Sequence, residues 1–160
     1  MTAPLIVILM GSRADEAHAR KAAEAAAALG IESVLRVGSA HKTPEHVLAI
    51  LKEYEAGPRP LVYITIAGRS NALSGFVDGC VTAPVIACPP PSEAFGGADV
   101  YSSLRMPSGI APAVVLEPAN AALLAAKIFA LSDPALRTRL AEFKGKQAEK
   151  ILQDDGELHG

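Results

Sequence analysis

Tryptophan is absent from the 160-residue chain, and aromatic residues supply only 4% of it. Proteins that stack nucleobases need an aromatic platform, so this scarcity argues against a nucleic-acid reader. Neither sign of charge is in excess: 15 Lys and Arg stand against 17 Asp and Glu, a formal charge of -2. That balance leaves no broad basic face for a polyanion, although a small anion pocket is compatible with it. Cysteine occurs twice, as Cys80 and Cys88. Two are too few for a disulfide scaffold and fit no zinc spacing, so they read as free thiols in a reducing cytoplasm. Long apolar runs are missing as well. Leu5–Met10 falls far short of the roughly 20 residues that span a bilayer. With no basic stretch ahead of it and a glycine turn behind, it does not read as a signal peptide. No membrane association and no nucleic-acid partner are expected.

What is present is half hydrophobic, enough for the core of one domain. Apolar runs of strand length alternate with helical patterns. The continuous run Leu5–Met10 has the signature of a strand buried on both faces. Gly11-Ser12 turns into an Ala-rich helix over about 15–29, with Gly30 in the C-terminal cap position. Further strands are predicted near 33–37, 61–67, 84–87 and 113–116. A helix starts at Thr43-Pro44-Glu45, with Thr43 as N-cap and Pro44 in the first helical position, and runs to about Gly57. Residues 89–98 read as an ordered loop and about 100–105 as a short helix. Pro118 opens a helix to about 131, and Pro134 opens a last one to about 152. This alternation implies an α/β fold: a three-layer, doubly wound parallel sheet in a single domain. Residues 1–133 form its α/β body, and residues 134–160 form a C-terminal helical arm and tail. Leu136, Leu140 and Phe143 make a narrow apolar stripe on that arm. The pattern alone leaves open whether the stripe packs on another subunit or folds back on its own sheet.

In such sheets ligands bind beyond the carboxyl ends of the strands, and three of those ends carry small or polar residues. The first, Gly11-Ser12-Arg13-Ala14-Asp15, offers backbone amides and the Ser12 hydroxyl at a helix N-terminus, which suits phosphate. It is neither a GxGxxG nor a P-loop, and a plain turn capped by Asp15 is the bland alternative. The second end puts Ser39, His41 and Lys42 on one rim. An imidazole both gives and takes a proton near neutrality, and Lys42 supplies a point charge for a phosphate. The third end, Gly68-Arg69-Ser70-Asn71, combines close backbone approach with donors for a small oxygen-bearing group; Arg69 could instead reach a phosphate or pair with a surface acid. His18, His46 and His159 read as structural or surface residues. No His, Cys and carboxylate cluster has metal-ligand spacing, so no metal is expected. The residues by themselves point to a small phosphorylated ligand and a proton transfer.

At these same positions the chain resembles the PurE family of purine biosynthesis. The likeness runs through Met10–Asp15, Gly30-Ile31, Ser39–Pro44, Ala67–Asn71, Pro84–Ile86, Ser102–Gly109 and Asn120–Ala125, covering about residues 4–133. Mutases of the family typically read Ser-Ala-His-Arg and Gly-Ala-Gly-Gly-Ala-Ala-His at the second and third turns. Here the turns read Ser39-Ala40-His41-Lys42 and Ala67-Gly68-Arg69-Ser70-Asn71. Together with Cys88-Pro-Pro, Ser102-Ser-Leu-Arg105 and Ile128–Ser132, they are similar to the animal-type carboxylase domain.

The resemblance implies a flavodoxin-like fold and an aminoimidazole ribonucleotide (AIR) carboxylase that adds CO2 to C4 of the substrate without ATP, biotin or any other cofactor. It implies His41 as the base for the C4 proton. Ser12, Ser39 and Lys42 would hold the phosphate and Asp15 the ribose. Gly68, Arg69, Ser70 and Asn71 would hold the carboxylate and ring. It also implies a homo-octamer in which the C-terminal arm packs on a neighbour. One departure stands out: the first turn of the family usually reads Gly-Ser-x-Ser-Asp, whereas position 14 here is Ala, and Arg13 is the residue that would have to compensate. An N5-carboxyaminoimidazole ribonucleotide mutase on the same fold is the nearest alternative reading, and a non-catalytic nucleotide-binding module is the next.

Overall fold

The computed structural model describes residues 2–159. Five parallel strands form one sheet: β1 (Leu5–Met10), β2 (Glu32–Val37), β3 (Leu61–Ile66), β4 (Val85–Ala87) and β5 (Ala113–Val114), in the order β2-β1-β3-β4-β5. This is the flavodoxin-like order, and its reversal lies between β1 and β3. The helices are α1 (Glu16–Ala28), α2 (Pro44–Glu55), α3 (Ala72–Cys80), α4 (Tyr101–Leu104), α5 (Pro118–Phe129) and α6 (Pro134–His159).

β1 is paired on both edges, Leu5 with Glu32 and Leu61 and so on to Met10 with Val37 and Ile66. Its period of two sends alternate side chains to opposite layers. Ile6, Ile8 and Met10 join Val62, Ile64 and Ile66 against α1, α5 and the start of α6. Leu5, Val7 and Leu9 join Tyr63 against Val47, Ile50 and Leu51 of α2 and Leu73 and Val77 of α3. All six β1 residues are buried, so the unbroken apolar run is what a central strand covered on both faces requires. Fully burying such a side chain contributes about 1.5–3 kcal/mol. Packing on both sides therefore pins the central strands whose ends carry the site.

The α1–α5 contact is built on small residues. Ala19, Ala22 and Ala26 share a core with Ala121, Ala122, Ala125 and Ala126. That explains why the fifth helix is apolar almost all round: it faces α1, the sheet and α6. Gly30 has φ 73°, the left-handed conformation that closes a helix.

Several boundaries differ from the sequence reading. Helix α3 was not anticipated; Ser74, Gly75, Asp78 and Gly79 give it the look of a loop. Its glycines answer to tertiary packing instead. A Cβ on Gly75 would lie 3.0 Å from Met106 Sδ, and one on Gly79 would lie 3.3 Å from Ile110 Cδ1. Thr43 sits at the start of α2 but does not cap it with its side chain. Its hydroxyl turns back, accepting from Ser39 N (3.0 Å) and lying 3.3 Å from Ser39 O. Residues 94–100 coil into 3-10 turns in which Phe95, Gly96 and Gly97 all have positive φ. Strand β5 ends at Val114, although Val115 N still donates to Ala87 O. Helix α5 stops at Phe129, and α6 runs on to His159, which was read as tail.

The apolar stripe on α6 folds back on its own chain. Leu136 and Leu140 are buried in the α1–α5 core with Phe143 packed beside them, and Arg139 Nε donates to Leu29 O at 3.2 Å. Beyond Phe143 every described residue is exposed, including Ile151, Leu152 and Leu158. No helix among the described residues is long and apolar enough to cross a membrane.

Candidate active site

A cavity of about 650 Å³ opens over the carboxyl ends of β1, β2, β3 and β4, beside the point where strand order reverses. The three polar turns meet there: Ser12 and Asp15 from the first, Ser39, His41 and Lys42 from the second, Gly68, Arg69 and Ser70 from the third. These residues are far apart in the chain, and parallel pairing in register brings their strand ends to one edge.

Each turn is held by its own hydrogen bonds. Ser12, with extended backbone (φ −153°), accepts from Ala14 N and caps the 3-10 turn before α1. Its hydroxyl proton remains free to donate. In the second turn Lys42 N donates to Ser39 Oγ at 3.2 Å and Thr43 N to Ser39 O at 2.8 Å. The Thr43 hydroxyl closes the same loop, so the hydroxyl that fails to cap α2 locks the turn bearing His41 and Lys42. Gly38, just ahead of it, is buried, and a Cβ there would come within 2.9 Å of Val47 Cγ2.

The third turn is the most constrained. Arg69 has φ 57°, a left-handed conformation that a residue with a side chain adopts at a cost of about 1–2 kcal/mol. Such strain persists where the surroundings impose it, commonly at functional sites. Here Ser102 Oγ lies 2.9 Å from Arg69 O and 2.8 Å from Asp99 O, and it accepts from Asn71 N. Gly68 lies close under the loop that follows β4; a Cβ on it would meet Pro90 Cγ at 3.4 Å.

Asn71 departs from the placement read in the sequence. Its side chain is buried away from the cavity, with Oδ1 accepting from Ser74 N (3.2 Å) and Oγ (2.9 Å) and Nδ2 donating to Ser103 Oγ (2.8 Å). It caps α3 and shapes the turn from behind, leaving Gly68, Arg69 and Ser70 to line the cavity. Arg13 departs too. Its guanidinium is largely exposed and paired with Glu16 at 3.0 Å, so it does not replace the hydroxyl that Ala14 lacks. Ala14 itself lines the cavity.

Burial pushes the Asp15 carboxyl above its ordinary range, and the nearby charges of His18 and Arg69 only partly offset this. Burial lowers the pKa of His18, and its Nε2 lies 3.5 Å from Cys88 Sγ. Burial pushes the Cys88 thiol up to about 12, which keeps it neutral, and His18 lines an adjoining cavity. Cys80 is exposed and both cysteines are free.

Sequence reasoning missed one side of the cavity. Leu73, Pro90, Pro91, Ser92 and Asp99 also line it. The available signal was that the Pro89–Pro91 run follows a strand end directly; it was read only as an ordered loop.

The family profile described as AIR carboxylase matches residues 5–150. A phosphoribosylaminoimidazole carboxylase of Treponema denticola is 61% identical over 97% of this chain and 98% of its own length. One of Archaeoglobus fulgidus is 54% identical over 95% of this chain and 83% of its own length. The bifunctional human carboxylase/succinocarboxamide synthetase is 44% identical over 93% of this chain but only 36% of its own length. The crystal structure of Treponema denticola PurE superposes with a TM-score of 0.95, at 61% identity over 97% of this chain and 98% of that one. With a profile match over most of its length and relatives this similar end to end, the chain belongs to the AIR carboxylase family.

Proposed function

We propose that this chain is the carboxy-lyase its relatives are named for, reversibly adding CO2 to C4 of 5-aminoimidazole ribonucleotide to give 4-carboxy-AIR in purine biosynthesis. The observation that carries this reading is the convergence of His41, Lys42, Ser12 and Ser39 with the Gly68–Ser70 turn on one cavity. It supports a reading in which a proton carrier, an anion site and a dipolar turn surround one small molecule.

The chemistry follows from the ligand. The aminoimidazole ring is an enamine and C4 is its nucleophilic carbon, so CO2 reacts there without activation by ATP or biotin. When the C4–C bond forms, C4 still carries its hydrogen, and a base must remove it to restore the aromatic ring. His41 takes that proton, and in the reverse direction it protonates C4. A positioned general base of this kind contributes typically 10²–10⁴-fold. Backbone and hydroxyl dipoles of Gly68 and Ser70, with the Arg69 charge, face the oxygens where negative charge develops. Ser12, Ser39 and Lys42 anchor the phosphate at the N-terminal turns of α1 and α2, and Asp15 accepts from the ribose hydroxyls. Asn71 acts through the turn it shapes.

In this reading the enzyme works in the cytoplasm as a homo-octamer, with the end of α6 packing on a neighbouring subunit. The exposed Ile151, Leu152 and Leu158 support that arrangement.

The test is to incubate purified protein with AIR and CO2 without ATP and to follow 4-carboxy-AIR. Rapid formation of that product is expected. Turnover of N5-carboxyaminoimidazole ribonucleotide alone would make the chain a mutase, and binding without turnover would make it a non-catalytic module.

A further inference from the structure

Resting on that reading, we infer that Asp99 is a further catalytic residue, whose carboxylate accepts a hydrogen bond from the exocyclic amino group of AIR. Two carboxylates line the cavity, Asp15 and Asp99. They come from different connections of the sheet, Asp15 from the turn after β1 and Asp99 from the stretch between β4 and β5. AIR carries donor hydrogens in two regions only, the ribose hydroxyls and the amino group on C5. With Asp15 on the ribose, Asp99 is the remaining anionic acceptor for the amine.

The local structure holds Asp99 ready for this. Ser92 Oγ donates to its Oδ2 at 2.8 Å, and Ala94 N donates in turn to Ser92 Oγ at 3.2 Å. Among the described residues no protein group donates to Oδ1, and a half-buried carboxylate that lines a cavity with one oxygen unpaired calls for a donor. The backbone is fixed as well. The Ser102 hydroxyl that bonds Asp99 O also bonds Arg69 O and accepts from Asn71 N. Asp99 and the strained third turn are therefore placed by one side chain, which couples the amine acceptor to the group that receives the carboxylate.

The reaction gives such an acceptor a use beyond binding. As C4 bonds to the carbon of CO2, one C–O π pair moves onto oxygen to make the carboxylate. The amino nitrogen lone pair moves into its bond with C5, so the amine becomes iminium-like and its hydrogens more acidic. Loss of the C4 proton to His41 then returns that pair and restores the ring. A carboxylate on the amine is held more tightly in the charge-separated state than in the ground state, and interactions of that kind raise kcat.

The experiment compares AIR with imidazole ribonucleotide, the analogue that lacks the amino group. Wild-type protein should bind AIR about 10-fold or more tightly over the analogue, as befits a hydrogen bond to a charged group. Asp99→Ala should abolish that preference, which a loss of loop structure alone would not do. Asp99→Asn, which keeps an acceptor but loses the charge, should lower kcat about 100-fold with little change in KM. Equal binding of the two ligands by the wild type would overturn the inference without any variant. So would a preference that survives in Asp99→Ala, or a kcat of Asp99→Asn within about threefold of the wild type. Failure of the wild type to carboxylate AIR would instead overturn the functional reading beneath it.

Discussion

Lys42 reaches the cavity wall through a turn that its own amide helps to close on Ser39, which leaves its side chain exposed and its ammonium available to the ligand. An ammonium is a compact point charge and a guanidinium a planar fork, so the two place a phosphate differently. Lys42→Arg should therefore raise KM for AIR severalfold in steady-state kinetics; unchanged kinetics and affinity would remove Lys42 from the phosphate site. Asp15 gives a prediction with a sign in pH. Burial raises its folded pKa above the unfolded value, so folding favours the protonated form. That contribution is complete below the unfolded pKa and is lost as pH rises through the folded one. At neutral pH the ionised carboxylate thus opposes folding, and Asp15→Asn should raise the urea midpoint at pH 7. Its advantage should shrink as pH falls and Asp15 itself becomes protonated. In the ribose-binding role proposed for the carboxylate, the same variant should bind AIR more weakly.

Among elements, the turn between β2 and α2 shows how packing sets the site. A Cβ on Gly38 would meet Val47 of α2 at 2.9 Å, with Ile50 and Leu9 close behind. Gly38→Ala should then cost about 1–3 kcal/mol by overpacking, read from denaturant unfolding. It should also weaken AIR binding by shifting Ser39–Lys42. Elements of this kind were legible to different degrees. The β1 strand could be read from its unbroken apolar run because being buried on both faces demands one. Helix α3 could not, since Gly75 and Gly79 look like breakers until Met106 and Ile110 are seen packed against them. His41, Lys42 and the first-turn residues stand out in the sequence because small and polar residues at strand ends have few structural uses, and the fold brings His41, Lys42, Ser12 and Asp15 to one cavity. Asn71 was given the wrong duty, because pattern alone cannot distinguish a side chain that faces a ligand from one that holds the loop behind it. Asp99 was missed for a related reason: it follows a run of irregular backbone with left-handed Phe95, Gly96 and Gly97, where neither period reports direction.

For the whole molecule, the core on one face of the sheet also serves the α1–α5 contact and the start of α6, while residues beyond Phe143 add nothing to it. Removing residues 144–160 should leave far-ultraviolet circular dichroism and cooperative unfolding of the remaining chain largely intact. On the proposed octameric arrangement it should also lower the assembly state seen in sedimentation. An unaltered assembly would remove the end of α6 from the subunit contact. In the proposed reaction, three distant turns brought to one cavity let one imidazole move the proton on C4. The most direct check is to measure turnover and AIR affinity on the same preparation of His41→Asn. Turnover should fall by about 10²–10⁴-fold with affinity largely retained, whereas activity surviving the substitution would contradict the account.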